Sequence, residues 1–507
     1  MIGGVGHSLA SGATLEGLFR AAVARRPEGL ALVDPPNREA FTHHPPRTLT
    51  YAQADRAVSA VAARLRDAGL KPGAIVAIQL PNVAEHAVAI LGVLRAGMIP
   101  ALLPLLWRKA DCVAALSQLD PRALIVCGRI GSVDHGMLGA EVAAEIFSIR
   151  HVFGFGTLPD GLTALDDVFL AGAPSGGDAP PVSDNVGQPI AAVTFEVTAA
   201  GHAAVARTDA ELIAAARGPI HEADLPENAV LLAPYLPSSF AGLSLTLVPW
   251  LASGGTLILH HPFDPDALSE QIAERSFDLV VLPGAIAQRL AEAGLLSGHN
   301  KMKAILLVWR TPERVGGVVS PRLLEVPLID VRVFGEIGLV AARREMETRP
   351  AILLAGPIKA YRAGTDSIEL GETVRTQAGT LAIKGPMVPH TPFPAGAQRT
   401  ALQASNGDAV DTGYPCRIER DAIVITGPPT GIVSLGGYRF ALKDLQDRLG
   451  RVQRGCTLAA LPHHLVGYKL AGDAADRTTL RRVLTDFGAN PLIVGAFRER
   501  SERSPAA

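Results

Sequence analysis

"TYAQADRAVSAVAARLRDAGLKPGAIVAIQLPNVAEHAVAILGVLRAG", Thr50–Gly97, decides the architecture. Thr50 is an N-cap, small and apolar residues recur at helical spacing through Leu65, and Gly69 stops the helix. "AIVAIQL" then reads as a strand buried on both faces, because its apolar run does not alternate. "NVAEHAVAILGVLRAG" returns to helical spacing. The same order extends outward: "TLEGLFRAAVARRP" from Thr14 is an amphipathic helix, "LALVD" from Leu30 a strand and "ALIVCG" from Ala123 another. Helix and strand in alternation predict layered α/β structure.

The bulk properties bound the rest. A chain of 507 residues exceeds one core and predicts about two to four domains. With 48% hydrophobic and 19% charged residues it has the composition of a packed globular protein. The formal charge of −2, with no basic block, gives no support for a nucleic-acid partner. Cys112, Cys127, Cys416 and Cys456 form no CxxC pair, which fits a reduced, cytoplasmic setting better than a disulfide framework. The opening "MIGGVGHSLASGATLEGLF" lacks the basic and apolar regions of a signal peptide. Asn228–Phe263 carries no charged residue, yet Pro234, Pro237, Pro249 and the Ser253–Gly255 turn interrupt it. The expectation there is a buried helix and strand, with no transmembrane segment.

The αβ alternation runs to about residue 340 across a Gly/Pro/Ser-rich linker at Ala171–Pro189. Short strands follow, including "GTLAIKGPMV" and "AVDTGYPCRIERDAIVITG", and predict a β-subdomain over about 341–427. Residues 428–507 read as a short α+β domain ending in a polar tail, "RERSERSPAA". The fold class is therefore α/β: residues 1–427 hold two layered αβ subdomains and a small β-subdomain, and the C-terminal domain follows.

Motif tests mostly exclude. GxGxxG after a strand, GxxxxGK[ST] and GxSxG are all absent. The pairs His43-His44, His260-His261 and His463-His464 lie beside prolines, with no further ligand at helical spacing, and read as solvated loop residues. "TFEVTAAGHAAVARTDAEL", Thr194–Leu212, has the outline of a phosphate loop: a strand, small residues, then a helix opened by a Thr208–Glu211 capping box. Between Thr194 and Ala206 it contains no Lys or Arg and one Gly. It reads either as a plain connection or as a weak anion site built from backbone N–H groups.

The order of segments resembles the adenylate-forming superfamily of acyl-CoA synthetases, peptide-synthetase adenylation domains and luciferases. The similarity rests on Thr48–Leu103, on "LAPYLPSSFAGLSLTLVPWLASGGTLILHHPF" in the middle, on the two β-subdomain stretches and on "VSLGGYRFALKDLQDRL". It covers nearly the whole chain. The resemblance implies ATP-dependent activation of a carboxylate as an acyl-adenylate, then acyl transfer to a thiol after rotation of the C-terminal domain.

By that resemblance the nucleotide pocket falls at Thr198, Gly201, Phe334, Gly335, Glu336, Thr412, Gly413 and Tyr414. Gly436 and Gly437 fall on the path of CoA or a carrier thiol. Tyr235, Phe240 and Trp250 are candidates for an acyl or aryl pocket, with core packing as their other reading. Several polar positions depart from the family pattern. Ala203, Ala204 and Val205 stand for Pro-Lys-Gly; Ile337 and Gly338 for Thr-Glu; Tyr414 for the ribose-binding Asp; Pro428 for Arg; and Gly431 for the hinge residue. Lys469 is the last lysine, so the C-terminal lysine of the family has no counterpart. A charge-assisted hydrogen bond contributes about 1.5–3 kcal/mol, so three losses would remove roughly three to six decades of rate.

The expectation is a pseudo-ligase, a binding or regulatory protein with an acyl or acyl-CoA ligand or a protein partner and no metal. The alternative is an active, divergent carboxylate–CoA ligase for fatty or aryl acids, using ATP, Mg2+ and CoA. Arg207 would then supply the phosphate cation and Glu336 the magnesium ligand. A third reading is thioester handling without ATP in the same pocket.

Overall fold

The computed structural model describes residue 5 and residues 12–170, 189–296, 302–316, 326–345, 349–361, 367–393 and 408–498. The linker at 171–188 and the tail beyond 498 lie outside the described residues. Two largely parallel sheets dominate. One has eight strands in the order Gly338–Arg343, Leu328–Phe334, Ile305–Trp309, Leu279–Pro283, Val230–Ala233, Thr256–Leu259, Leu30–Val33, Thr48–Thr50. Its inner pairings are parallel, and an antiparallel pair closes each end.

The other has seven: Gly201–Thr208, Ile190–Thr198, Ile99–Leu102, Ile75–Gln79, Pro121–Cys127, His151–Phe155, Thr163–Ala164. Strands such as Ile75–Gln79 and Ile305–Trp309 are buried throughout, as expected where helices cover both faces.

The helices predicted in the opening stretch form at Tyr51–Asp67 and Ala84–Arg95. Thr50 caps the first by accepting the Gln53 N–H, and the Gln53 side chain accepts the Thr50 N–H in return. These helices pack against Leu15–Arg25 and the helix Val248–Ser253, and Phe19, Tyr51 and Trp250 gather between them. The uncharged Asn228–Phe263 contains the expected buried helix and strand, Val248–Ser253 and Thr256–Leu259, and a further strand, Val230–Ala233, before them. Among the described residues no helix is long and apolar enough to cross a membrane.

Residues 356–425 build a five-stranded antiparallel sheet, so Gly338–Arg343 is an edge of the eight-stranded sheet and not the start of the β-subdomain. Residues 432–498 form an antiparallel four-stranded sheet, Tyr438–Ala441, Ile432–Leu435, Gly467–Asp473, Thr457–His463, covered by helices Leu442–Val452 and Arg477–Asp486. Its core is separate, around Leu445, Leu449, Leu480 and Phe497.

His260 corrects the reading of the histidine pairs as solvated. It is 1% exposed, its Nδ1 lies 2.7 Å from Gln271 Oε1, and its Nε2 accepts the Asp264 N–H. The ring completes the helix start at Asp264 instead of facing water.

Candidate functional site

The predicted phosphate loop is a β-hairpin. Ile190–Thr198 and Gly201–Thr208 pair in register from Ala192–Arg207 to Thr198–Gly201, which leaves Ala199 and Ala200 as the connection. Thr198 Oγ1 donates to the Gly201 carbonyl and accepts the Ala200 N–H, and Gly201 supplies the positive φ of +111°. The helix Asp209–Glu222 begins at the other end of the second strand, with the capping box of Thr208 and Glu211 formed as predicted. Its N-terminus thus lies eight residues of strand away from the turn, about 25 Å, and the Thr208 and Glu211 N–H groups there already have partners. The strand–loop–helix reading is corrected on that point. Residues 201–208 are Ala-rich but extended because they complete the edge of the sheet.

The hairpin's one acid is the centre of the site. Glu196 is 4% exposed and projects from Ile190–Thr198. It accepts the Val197 N–H at 2.7 Å and the Glu336 N–H at 2.7 Å, and forms an ion pair with Arg439 of the C-terminal sheet. Gly335 lies directly beneath with φ of +58°, and a Cβ there would overlap both Glu196 Oε2 and Arg439 Nη1. Phe334, Gly335 and Glu336, expected in the nucleotide pocket, therefore meet the Glu196–Arg439 pair.

Tyr414 joins them: it is 1% exposed, crosses the Phe334 ring edge-on at 5.5 Å and 81°, and lies 5.8 Å from the Arg439 guanidinium. Thr412 Oγ1 donates to the Leu381 carbonyl and accepts the Tyr414 N–H, while Gly413 turns at φ of +72°. Burial pushes the Tyr414 phenol up, and it raises Glu336 too, with Glu196 adding repulsion and Arg310 opposing. Burial works against the charge on Arg439, but Glu196 together with Tyr414, Glu336 and Glu313 more than restores it.

Arg207 lies under the same loop with 0% exposure. Its guanidinium donates to the carbonyls of Met387 at 2.6 Å and Ile337 at 3.0 Å and to that of Glu336, and it stacks 3.8 Å from the Phe240 ring centre. Burial lowers it to about 10, against the pull of Glu211, Glu336 and Glu196. Glu336 in turn accepts the Phe240 N–H at 2.7 Å. Of the acyl-pocket candidates, Phe240 belongs to this group and is fully buried, and Tyr235 is half-buried. Trp250 is elsewhere, stacked on Tyr51 and donating to the Gly255 carbonyl in the helical layer.

The C-terminal sheet supplies the roof. Gly436 and Gly437 turn at φ of +55° and +90°, and the Gly436 N–H donates to Val466. Gly437 is packed on Arg310: a Cβ there would come 2.7 Å from Arg310 Nη1. The Ala110 N–H meets the Gly488 carbonyl at a second contact. Sequence reasoning missed Glu196, Arg310 and Arg439. Each carried a signal, a charge inside or just after an apolar strand: "TFEV", "LLVWR" and "YRF". Such a charge is buried only with a partner, and the partners are remote. Tyr235, Arg310 and Glu336 all follow the carboxyl ends of parallel strands, where open α/β sheets place their ligands.

Residues 19–182 match the family model described as AMP-binding enzyme. The salicylyl-CoA synthase / salicylate adenylyltransferase of a Streptomyces species is 23% identical over 440 residues, which is 82% of this chain and 76% of that protein. The chain has the fold of the amide bond synthetase McbA from Marinactinospora thermotolerans, with a TM-score of 0.69 at 19% identity, over 95% of this chain and 94% of that one. This chain is similar to the adenylate-forming superfamily in its AMP-binding segment and in its fold. A further relative, the salicyl-AMP ligase / salicyl-S-ArCP synthetase of Mycobacterium tuberculosis, is 32% identical over 142 residues, so the match spans 28% of this chain and 24% of that protein. Within that fold, the hairpin at Ala199–Ala200 and the Glu196–Arg439 pair lie at the candidate site.

Proposed function

We propose that this protein is a pseudo-ligase, a ligand-binding protein without adenylation chemistry. The reading is carried by the Glu196–Arg439 pair seated on Gly335. At the positions expected to bracket a nucleoside, Phe334, Gly335 and Tyr414 contact the protein's own side chains. The ribose position holds a buried phenol, which offers no paired acceptors for a diol. Adenylation also needs cations where charge develops on departing pyrophosphate. Arg207 already donates to three main-chain carbonyls, and Glu336 accepts the Phe240 N–H. The residues present do not fit ATP and Mg2+. Four buried thiols accord with a cytoplasmic protein that binds an acyl or aryl ligand or a protein partner.

Calorimetric titration with ATP and Mg2+, followed by ATP–pyrophosphate exchange with salicylate, octanoate and other carboxylates, tests this reading. We expect no saturable heat and no exchange. Exchange above background with any acid overturns it.

One observation favours the active ligase. Arg310 carries a guanidinium with no hydrogen bond or ion pair among the described residues, at the same strand ends as Glu336. In that reading Arg310 takes the role first given to Arg207, ATP, Mg2+ and CoA are the cofactors, and the Gly436–Gly437 turn borders the thiol. Exchange in the wild type that disappears in Arg310→Gln would establish it.

A further inference from the structure

We infer that a cleft at the amino edge of the seven-stranded sheet binds a phosphoryl group, free or carried by a small molecule, through Lys71, Arg122 and Arg150. None of the candidate-site residues lines this cleft, so ligands at the two places do not share side chains.

The cleft has a volume of about 570 Å3 and lies where three neighbouring parallel strands begin, Ile75–Gln79, Pro121–Cys127 and His151–Phe155. That volume is in the range of small-molecule sites. Each strand start brings a cation to it: Lys71 from the turn before the first, Arg122 from the second, and Arg150 from just ahead of the third. Arg122 and Arg150 immediately precede the paired residues Ala123 and His151, and the Arg150 N–H donates to the Arg122 carbonyl at 3.0 Å. The two side chains therefore leave adjacent strands at one level and on one face, with backbones about 5 Å apart.

Like charges in that relation repel. Arg122 has an opposite charge, Asp120, at 2.5 Å, but the two side chains are 49% and 64% exposed. An ion pair so open to water is weak. The side chains of Lys71 and Arg150 have no hydrogen bond and no ion pair among the described residues. Three cations and one carboxylate thus leave the cleft with an excess of positive charge. A phosphate monoester carries about −1.5 to −2 at pH 7 and presents three acceptor oxygens. It matches that excess and gives adjacent guanidinium forks a shared partner. Leu70 and Ile75 add apolar lining, suited to the organic part of an ester.

The test uses the full chain at low ionic strength, where exposed charges are least screened. Inorganic phosphate and phenyl phosphate are titrated calorimetrically, with phenyl sulfate and phenol as controls. Wild type, Arg122→Gln, Arg150→Gln and Asp120→Asn are compared. We expect at least one phosphate to saturate between about 10 μM and 1 mM. Each arginine variant should bind it about tenfold more weakly or worse. Asp120→Asn should bind it about threefold more tightly, because Arg122 is freed, and a folding defect cannot imitate that gain. Phenyl sulfate, with a single charge, should bind about tenfold more weakly than phenyl phosphate. Phosphate should also raise the thermal midpoint of the wild type and leave that of Arg150→Gln unchanged. Tighter binding of phenyl phosphate marks an organic ester as the ligand; tighter binding of inorganic phosphate marks the free ion.

No saturation by either phosphate overturns the inference, as does wild-type binding by both arginine variants. Phenyl sulfate that binds as tightly as phenyl phosphate, or Asp120→Asn that binds phosphate more weakly than wild type, overturns it as well. These titrations contain neither ATP nor a carboxylate substrate, so their outcome is separate from that of the pseudo-ligase reading.

Discussion

Glu196 of the hairpin and Arg439 of the C-terminal sheet form a buried ion pair across 243 positions of sequence. With side chains 4% and 12% exposed, it fastens one domain to the other where water screens little. Glu196→Gln should destabilise the protein by about 3–5 kcal/mol, the usual penalty for leaving one buried charge unpaired. Urea unfolding checks the magnitude. Hydrogen exchange should locate the loosening at residues 432–441, and protection there equal to wild type would show that the pair does not hold the domain.

Gly335 and Gly201 both have positive φ, +58° and +111°, but only Gly335 faces neighbours. Gly201→Ala should cost about 1 kcal/mol from backbone strain alone. Gly335→Ala should cost about 2 kcal/mol or more, because its methyl group displaces Glu196 and Arg439 as well. Paired melting curves measure the difference. Equal losses would mean that the ion pair yields freely.

Arg207 separates a structural role from a catalytic one. Arg207→Ala leaves three carbonyls without their donor and removes the stack on Phe240, so a loss of about 3 kcal/mol or more is expected. Arg207→Lys should rescue little, since one ammonium cannot reproduce the fork. Denaturant titration provides the check; a fully stable Arg207→Ala variant would return Arg207 to the candidate phosphate cations.

His202 ties pH to the domain seam. Its ring packs 4.5 Å from Trp107, and burial, aided by Arg448, lowers its pKa to about 4, with Asp444 opposing. An unfolded histidine titrates at about 6.5. Between these values the unfolded chain holds a proton that the folded chain excludes, so His202 makes stability fall as pH drops from about 6.5 to 4. His202→Phe should flatten that slope while leaving stability at pH 7.5 nearly unchanged. An equal slope in both proteins would place the titration elsewhere.

The alternation of helices and strands was legible because each signal is local. A strand buried on both faces must be apolar throughout, as in Ile75–Gln79, and a helix must begin with a cap, as at Thr50 and Thr208. The prolines and turn of Asn228–Phe263 were enough to read a buried helix and the strand after it, but not the strand Val230–Ala233 that precedes them. The Gly201–Thr208 strand was not legible. "GHAAVART" has little strand propensity of its own and is extended because it pairs with Ile190–Thr198. His260 looked like a loop residue and is buried because Gln271 and the Asp264 N–H engage its ring.

At the site, Phe334, Gly335, Glu336 and Tyr414 could be named from residue order, because turns after parallel strands converge at one sheet edge. Their neighbours could not. Glu196, Arg310 and Arg439 are single charges beside apolar runs, and nothing within ten residues of any of them says whether it meets an opposite charge or water.

By itself, then, the sequence determined the layers, the caps and the places where strands end, since burial and helix initiation act over a few residues. Tertiary structure alone decided which charges are paired. Coulomb attraction depends on separation in space, and only the folded chain brings Glu196 to Arg439 while leaving Arg310 without an anion.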